Sequence, residues 1–231
     1  NVVSAALEYK KYTPAFYSQD FDEAKRVLME AKEFIDPAMK HESTKDEEKA
    51  HYYNAVIYYG LVELSALEGN EDLKDLQNEE TMNMIEESLL IAYNSRKYKR
   101  DVEDFVKQKI SLANMGGKAY FDKEEYEIAY QAFASAYELQ KMIDIEDEDM
   151  KQNALISAKN AVATMKKNGE TEEALEFIES TREMFPKNAV LAIEGVNIAL
   201  DSGDMERAEE LLQLKRIQKT RYCLVLWGQF I

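Results

Sequence analysis

Apolar residues recur along this chain at helical intervals. Tyr126, Ala129, Phe133 and Ala136 fall three and four apart, as do Ile85, Leu89 and Ala92, and Phe21, Ala24, Leu28 and Ala31. Side chains so spaced share one face of an α-helix, which turns once in about 3.6 residues. An aromatic-rich helix through Tyr52, Tyr53, Val56, Tyr59 and Leu64 precedes the set at Ile85. Only three prolines and eight glycines punctuate 231 residues that are otherwise rich in helix formers, so the expected fold is all-α.

The pattern also repeats on a longer scale. The segment 168–175 realigns with 202–209, and Ala174 and Ala208 lie 34 residues apart. Each copy reads as a helix, a glycine-centred turn and a second helix. Gly169 and Gly203 suit the left-handed backbone that ends a helix, and Glu170 and Asp204 follow where the next helix dipole favours negative charge. Ala174 and Ile178, like Ala208 and Leu212, then share one face, and Pro186 stops the helix of the first copy. Upstream, Gly117 and Tyr120 precede Tyr126, Ala129, Phe133 and Ala136 at the spacing of a tightly packed partner helix.

A small residue and an aromatic on the first helix, followed by Tyr-x-x-Ala-x-x-x-Phe-x-x-Ala on the second, is similar to the tetratricopeptide repeat, with Glu124 in place of the usual turn glycine. The resemblance implies a right-handed superhelical stack of antiparallel helix pairs, an α-solenoid, since one pair cannot bury its own apolar faces. Matching positions at 24, 85, 129, 174 and 208 divide a single domain, 1–231, into approximate units 1–40, 48–98, 101–143, 150–187 and 188–214. The irregular gaps place extra residues in connections 37–49, 68–80, 93–101 and 141–150, or in longer flanking helices. Segments 1–6 and 48–53 further resemble secreted tetratricopeptide proteins of Bacteroidetes-type bacteria, which implies a periplasmic or secreted protein and a leader removed before Asn1.

Composition narrows the partners. A net charge of -16 repels phosphate backbones and anionic membrane surfaces, so nucleic acid is excluded as the expected ligand, while a basic segment of a partner would be attracted. The single cysteine, Cys223, rules out an internal disulfide framework and a multi-cysteine zinc site. No run reaches the roughly 18 apolar residues of a membrane span. The longest, Tyr222 to Trp227, sits in a tail, 215–231, that breaks the repeat pattern with basic residues followed by apolar ones. Two readings fit the tail. One is a hydrophobic capping helix over the last repeat. The other is a shifted reading frame or a truncated chain, since one permissible choice of codons for 219–230, shifted by one base, places a proline at position 220, 34 residues after Pro186.

Catalytic and cofactor chemistry finds little support. His41 and His51 lack the spacing of a zinc-protease helix, and Gly116-Gly117-Lys118 lacks the first glycine and the hydroxyl of a phosphate loop. The acidic run Asp144 to Asp149 lacks the central glycine of a calcium loop and reads as a solvated helix start. The expectation is therefore a protein that is not an enzyme, with no cofactor and no metal. Tyrosine patches at Tyr9, Tyr12, Phe16 and Tyr17 and at Tyr52, Tyr53, Tyr58 and Tyr59 fit helix packing, or a groove in which aromatic rings meet a ligand.

In the tetratricopeptide family, first helices line the concave face. The resemblance carries that role to Asn114, Lys118 and Phe121 in one unit and to Lys159 and Lys166 in the next, a locally basic strip suited to a peptide carboxylate or acidic segment. The Lys/Asn/Arg pattern of the chaperone-binding carboxylate clamp is not found. The expected function is a scaffold that binds a protein or peptide on its concave face. The alternatives are an exported envelope or nutrient-system component that binds a glycan or other small ligand through its tyrosines, and a structural module that forms homo-oligomers through its repeat ends.

Overall fold

The computed structural model describes residues 1–67, 69–145 and 147–212. The tail at 215–231 lies outside them. The described residues form ten α-helices packed as sequential antiparallel pairs: α1 (Val2–Tyr17) with α2 (Phe21–Lys40), α3 (Glu48–Ser65) with α4 (Glu79–Asn94), α5 (Lys99–Asp122) with α6 (Tyr126–Met142), α7 (Asp149–Asn168) with α8 (Thr171–Met184), and α9 (Ala189–Ser202) with α10 (Met205–Leu212). A 3-10 helix, Glu71–Leu76, lies between α3 and α4. No helix among the described residues is long and apolar enough to cross a membrane.

One turn design closes four of the five pairs. Gln19, Glu124, Gly169 and Gly203 adopt left-handed backbone, with φ of 61°, 64°, 82° and 82°. Each donates its N–H to the carbonyl three residues back, and the next residue donates to the carbonyl five back, as in Asp20 to Ala15 and Asp204 to Ala199 at 3.0 and 2.8 Å. These two bonds satisfy carbonyls that a helix end leaves open. The residue after the left-handed one is acidic in all four turns: Asp20, Glu125, Glu170 and Asp204. Its carbonyl accepts the amide of Ala24, Ala129, Ala174 or Ala208, which opens the second helix with a buried alanine. Asp20 and Asp204 also cap with their side chains, accepting from Glu23 N and Arg207 N at 3.1 and 3.0 Å.

The α3/α4 pair is built differently. Asn78 caps α4 by accepting from Thr81 N at 2.8 Å, and its carbonyl accepts from Met82. Met82 therefore occupies the place of the opening alanine, and Ile85 follows one turn later. Pro37 does not open the connection to α3, because it stands on the exposed side of α2, which continues to Lys40. There Pro37 withholds an amide from the Glu33 carbonyl, on a side of the helix where both residues are exposed.

The described chain divides into two compact units, 1–113 with 135–147 and 114–134 with 148–212, with boundaries that fall inside α5 and α6. In the first unit, α3 packs against α1, α2, α4 and the 3-10 helix. That position explains its composition, since a helix surrounded by neighbours is apolar on all sides: Ala55, Val56, Ile57, Tyr59, Leu61, Val62 and Leu64 are all buried. Leu28 and Ile35 of α2 and Leu73 of the 3-10 helix complete this core. Gly60 permits the approach, for a Cβ there would lie 2.8 Å from Leu28 Cδ1.

In the second unit α7 packs on α8, α8 on α9 and α9 on α10. Gly117 of α5 lies directly against the Phe133 ring of α6, where a Cβ would come within 2.8 Å. Phe177 of α8 meets Tyr130 of α6 edge-on at 5.1 Å.

Candidate functional site

The five residues of the basic strip all fall on first helices within the second unit. Asn114, Lys118 and Phe121 are spaced four and three apart on α5, and Lys159 and Lys166 seven apart on α7, so each set shares a helix face. Lys118 and Lys159 are exposed. Lys166 is exposed too, but its ammonium donates at 2.6 Å to Glu194 of α9. Phe121 is half-buried, its ring edge-on to Tyr126 at 5.1 Å across the α5/α6 turn. Asn114 is half-buried with its Oδ1 enclosed and without a hydrogen-bond partner. The strip thus presents two exposed ammonium groups, a third engaged by a carboxylate, and one amide with an unused acceptor.

The tyrosine patches belong to the first unit and are mostly packing groups. Tyr9 touches Tyr12 and Tyr53, with ring centres 5.9 and 6.1 Å apart, and Tyr52 touches Tyr53 edge-on and stacks on Tyr98 at 5.5 Å. Tyr58 donates to Asp36 at 2.8 Å. Tyr17 is exposed and accepts from Gln108 at 2.6 Å.

Beneath these rings lies a cluster that sequence patterning did not single out. Glu63 of α3 and Lys109 of α5, both buried, form an ion pair with both carboxylate oxygens within 2.6 Å of the ammonium. Tyr12 of α1 donates its hydroxyl to the same carboxylate at 3.1 Å. The ammonium also stands over the rings of Tyr59 and Phe105, 4.7 and 5.4 Å from their centres, a placement in which the ring face attracts a cation. Burial, helped by the Glu63 charge, pushes the phenols of Tyr9, Tyr12 and Tyr59 well above the ordinary tyrosine value.

A signal for this cluster was present in the chain. Glu63 interrupts the apolar run of α3, and Lys109 stands on the stripe Val102, Phe105, Val106 and Ala113 of α5. A charge at an apolar helical position is either a break in the helix or half of a buried pair.

Other candidate groups stay apart. His41 lies at the end of α2, bonded to Ser43, and His51 in α3 lies 3.5 Å from Ser88 of α4. Burial lowers the His51 pKa below the ordinary histidine value. Gly116 to Lys118 lie inside α5, in its last third, where their amides belong to the helix. An open depression of about 440 Å³ on α4 is lined by Glu79, Glu80, Asn83, Met84 and Glu87. Among the described residues no group of three or more His, Cys, Asp or Glu side chains is placed to hold a metal ion. No protein-family model, characterised protein or solved structure matches the chain.

Proposed function

We propose that this chain is a tetratricopeptide-like repeat scaffold that holds a protein or peptide partner along the first helices of its third and fourth pairs. The observation that carries this reading is the recurrence of one turn. Four pairs close with the same left-handed residue, the same acidic successor and the same buried alanine. That recurrence is what stacking of like units in a right-handed superhelix requires, because each unit must offer the next an equivalent face. In such a stack the faces of α5 and α7 that carry Asn114, Lys118, Phe121 and Lys159 line the concave side.

The chemistry of the strip favours an acidic segment or a terminal carboxylate as the part of the partner that is gripped. Lys118 and Lys159 offer charge-assisted donors, while Lys166 is held by Glu194 and releases only to a stronger acceptor. The glycan alternative relies on open aromatic rings, and most of the tyrosines are engaged with one another. Export to a bacterial periplasm or medium belongs to the same proposal and rests on resemblance.

The test is affinity capture from the native envelope fraction with the wild-type chain and with Lys118→Glu/Lys159→Glu. Both sites are exposed, so the variant keeps its fold. A hydrogen bond to a charged group contributes roughly 1.5–3 kcal/mol, so loss of two such contacts weakens the partner by at least about a hundredfold. Retention of every partner at undiminished affinity would show that the strip is not the binding surface.

A further inference from the structure

We infer that the binding strip continues onto α9, and that α7 and α9 together take a partner segment in which acidic residues are interleaved with large apolar ones. This rests on the scaffold reading and names the chemistry of what that scaffold holds.

The two helices present matching stripes. On α7, Ile156, Lys159, Ala163 and Lys166 are spaced three, four and three apart, and all four are exposed. Such spacing keeps them on one helix face. On α9, Val190, Ile193, Asn197 and Leu200 repeat the same spacing 34 residues later, and all four are again exposed. The opposite side of each helix is buried, through Ala158, Ala161 and Met165 on α7 and through Leu191, Gly195 and Ile198 on α9. The ion pair from Lys166 to Glu194, at 2.6 Å, ties the two stripes together at their edges. Glu194 follows Val190 by four residues and Ile193 by one, so it stands on the flank of the α9 stripe that meets α7. The two stripes therefore form one surface within the second unit.

Their chemistry differs, and the difference selects the occupant. Helix α7 contributes cations: Lys166 is engaged by Glu194, while Lys159 and Lys167 pair with no carboxylate among the described residues. Helix α9 contributes Val190, Ile193 and Leu200, which are 60%, 59% and 46% exposed, and Ile156 of α7 adds a fourth apolar side chain at 51%. Asn197 stands between Ile193 and Leu200, and its exposed amide offers a donor and an acceptor to the backbone of a bound segment. The carboxylates of the surface are Glu194, already held by Lys166, and Asp201 at the end of α9. A wholly acidic segment would leave the α9 side chains in water, and a wholly apolar one would leave Lys159 and Lys167 without an anion. A segment with both kinds of residue gains charge-assisted hydrogen bonds on α7 and apolar burial on α9.

The test selects a random peptide library, displayed on phage, on the full-length chain. Enriched sequences are expected to combine aspartate or glutamate with leucine, isoleucine or phenylalanine. A labelled peptide of the enriched sequence is then titrated by fluorescence anisotropy, beside a counterpart with serine at every apolar position. Ile193→Ser and Leu200→Ser, both at exposed positions, are expected to weaken the enriched peptide about tenfold each, the loss for one large aliphatic side chain left uncovered, and to leave the serine counterpart unchanged. Lys159→Glu is expected to weaken both peptides. Met205→Ser, at an exposed position of α10 outside the stripes, is the control and changes neither. Enrichment of acidic sequences without apolar residues, or an enriched peptide whose affinity survives both α9 substitutions, overturns this inference and leaves the strip on α5 and α7 standing. Enrichment of no acidic sequence, or indifference of both peptides to Lys159→Glu, overturns the strip reading and this inference with it. A wild-type chain of doubled mass that Ile193→Ser returns to a single chain assigns the surface to a second copy and overturns the inference as well.

Discussion

Replacing Lys109 with methionine removes the ammonium from the buried pair while keeping an unbranched side chain of similar length. Glu63, 1% exposed, then keeps only the Tyr12 hydroxyl at 3.1 Å. Breaking a buried pair on one side costs about 3–5 kcal/mol, because the remaining charge is neither solvated nor paired. Whole domains are stable by only about 5–15 kcal/mol, so this single change should remove a large part of the first unit's stability. Glu63→Leu combined with Lys109→Met deletes both charges. It orphans the Tyr12 hydroxyl, at about 1–3 kcal/mol, but avoids a desolvation cost that apolar replacement recovers by about 1–4 kcal/mol. The double variant should therefore lie near the wild type and well above Lys109→Met alone. Urea unfolding followed by circular dichroism gives the free energies, and hydrogen exchange of the α3 amides assigns the loss to this unit. A cost below about 1 kcal/mol for Lys109→Met, the value of an exposed ion pair, would refute the burial argument.

Other substitutions test the turns and crossings. Gly117→Ala gains about 1 kcal/mol of helix propensity but drives a Cβ to within 2.8 Å of the buried Phe133 ring; overpacking costs about 1–3 kcal/mol, so a lowered urea midpoint is expected, and a raised one would show that the ring yields. Glu124→Gly relieves a left-handed residue at φ 64° and should raise stability by about 1 kcal/mol, whereas Gly203→Ala, at φ 82°, should lower it by a similar amount; equal effects of one sign would contradict the turn assignment. The raised phenol pKa values of Tyr9, Tyr12 and Tyr59 mean that the fold holds these groups neutral. Their contribution is complete below the unfolded tyrosine value near 10 and is lost as pH rises beyond it towards the folded values. Stability should thus fall above about pH 10, with the phenolate absorbance of these three tyrosines appearing only on unfolding; a smooth rise of all phenolate absorbance near pH 10 in the folded chain would exclude their burial.

The helix pairs were legible because their signals are local. Gly169 and Gly203 announce a left-handed turn, the acid that follows announces a cap, and Ala174 and Ala208 announce close packing. Glu124 was legible as a departure, and the backbone around it forms the same turn without a glycine. Gln19 carries no such mark, since nothing in its residue type distinguishes a strained turn from an ordinary one. In α4, Ile85, Leu89 and Ala92 are buried with the spacing of Ala24, Leu28 and Ala31, whereas the residue whose amide opens the helix is Met82, one turn earlier, which no residue type announces. The Glu63–Lys109 pair was not legible as a pair, for the two residues are 46 positions apart and a charge on an apolar helical face does not name its partner. The Lys166–Glu194 ion pair escaped for the same reason, 28 residues apart across two helices. Of the candidate strip, spacing alone put its members on common faces of α5 and α7, whereas the engagement of Lys166 and the enclosed Asn114 oxygen depend on neighbours that spacing does not name.

The binding claim is tested most directly by placing a photo-crosslinker at position 118 or 159 of the full chain and exposing it to the native partner mixture. The scaffold reading predicts that both positions capture the same partner, that free acidic peptide competes for it, and that a crosslinker at exposed Glu127 on α6 captures none of it. Capture of that partner from position 127 but from neither 118 nor 159 would contradict it.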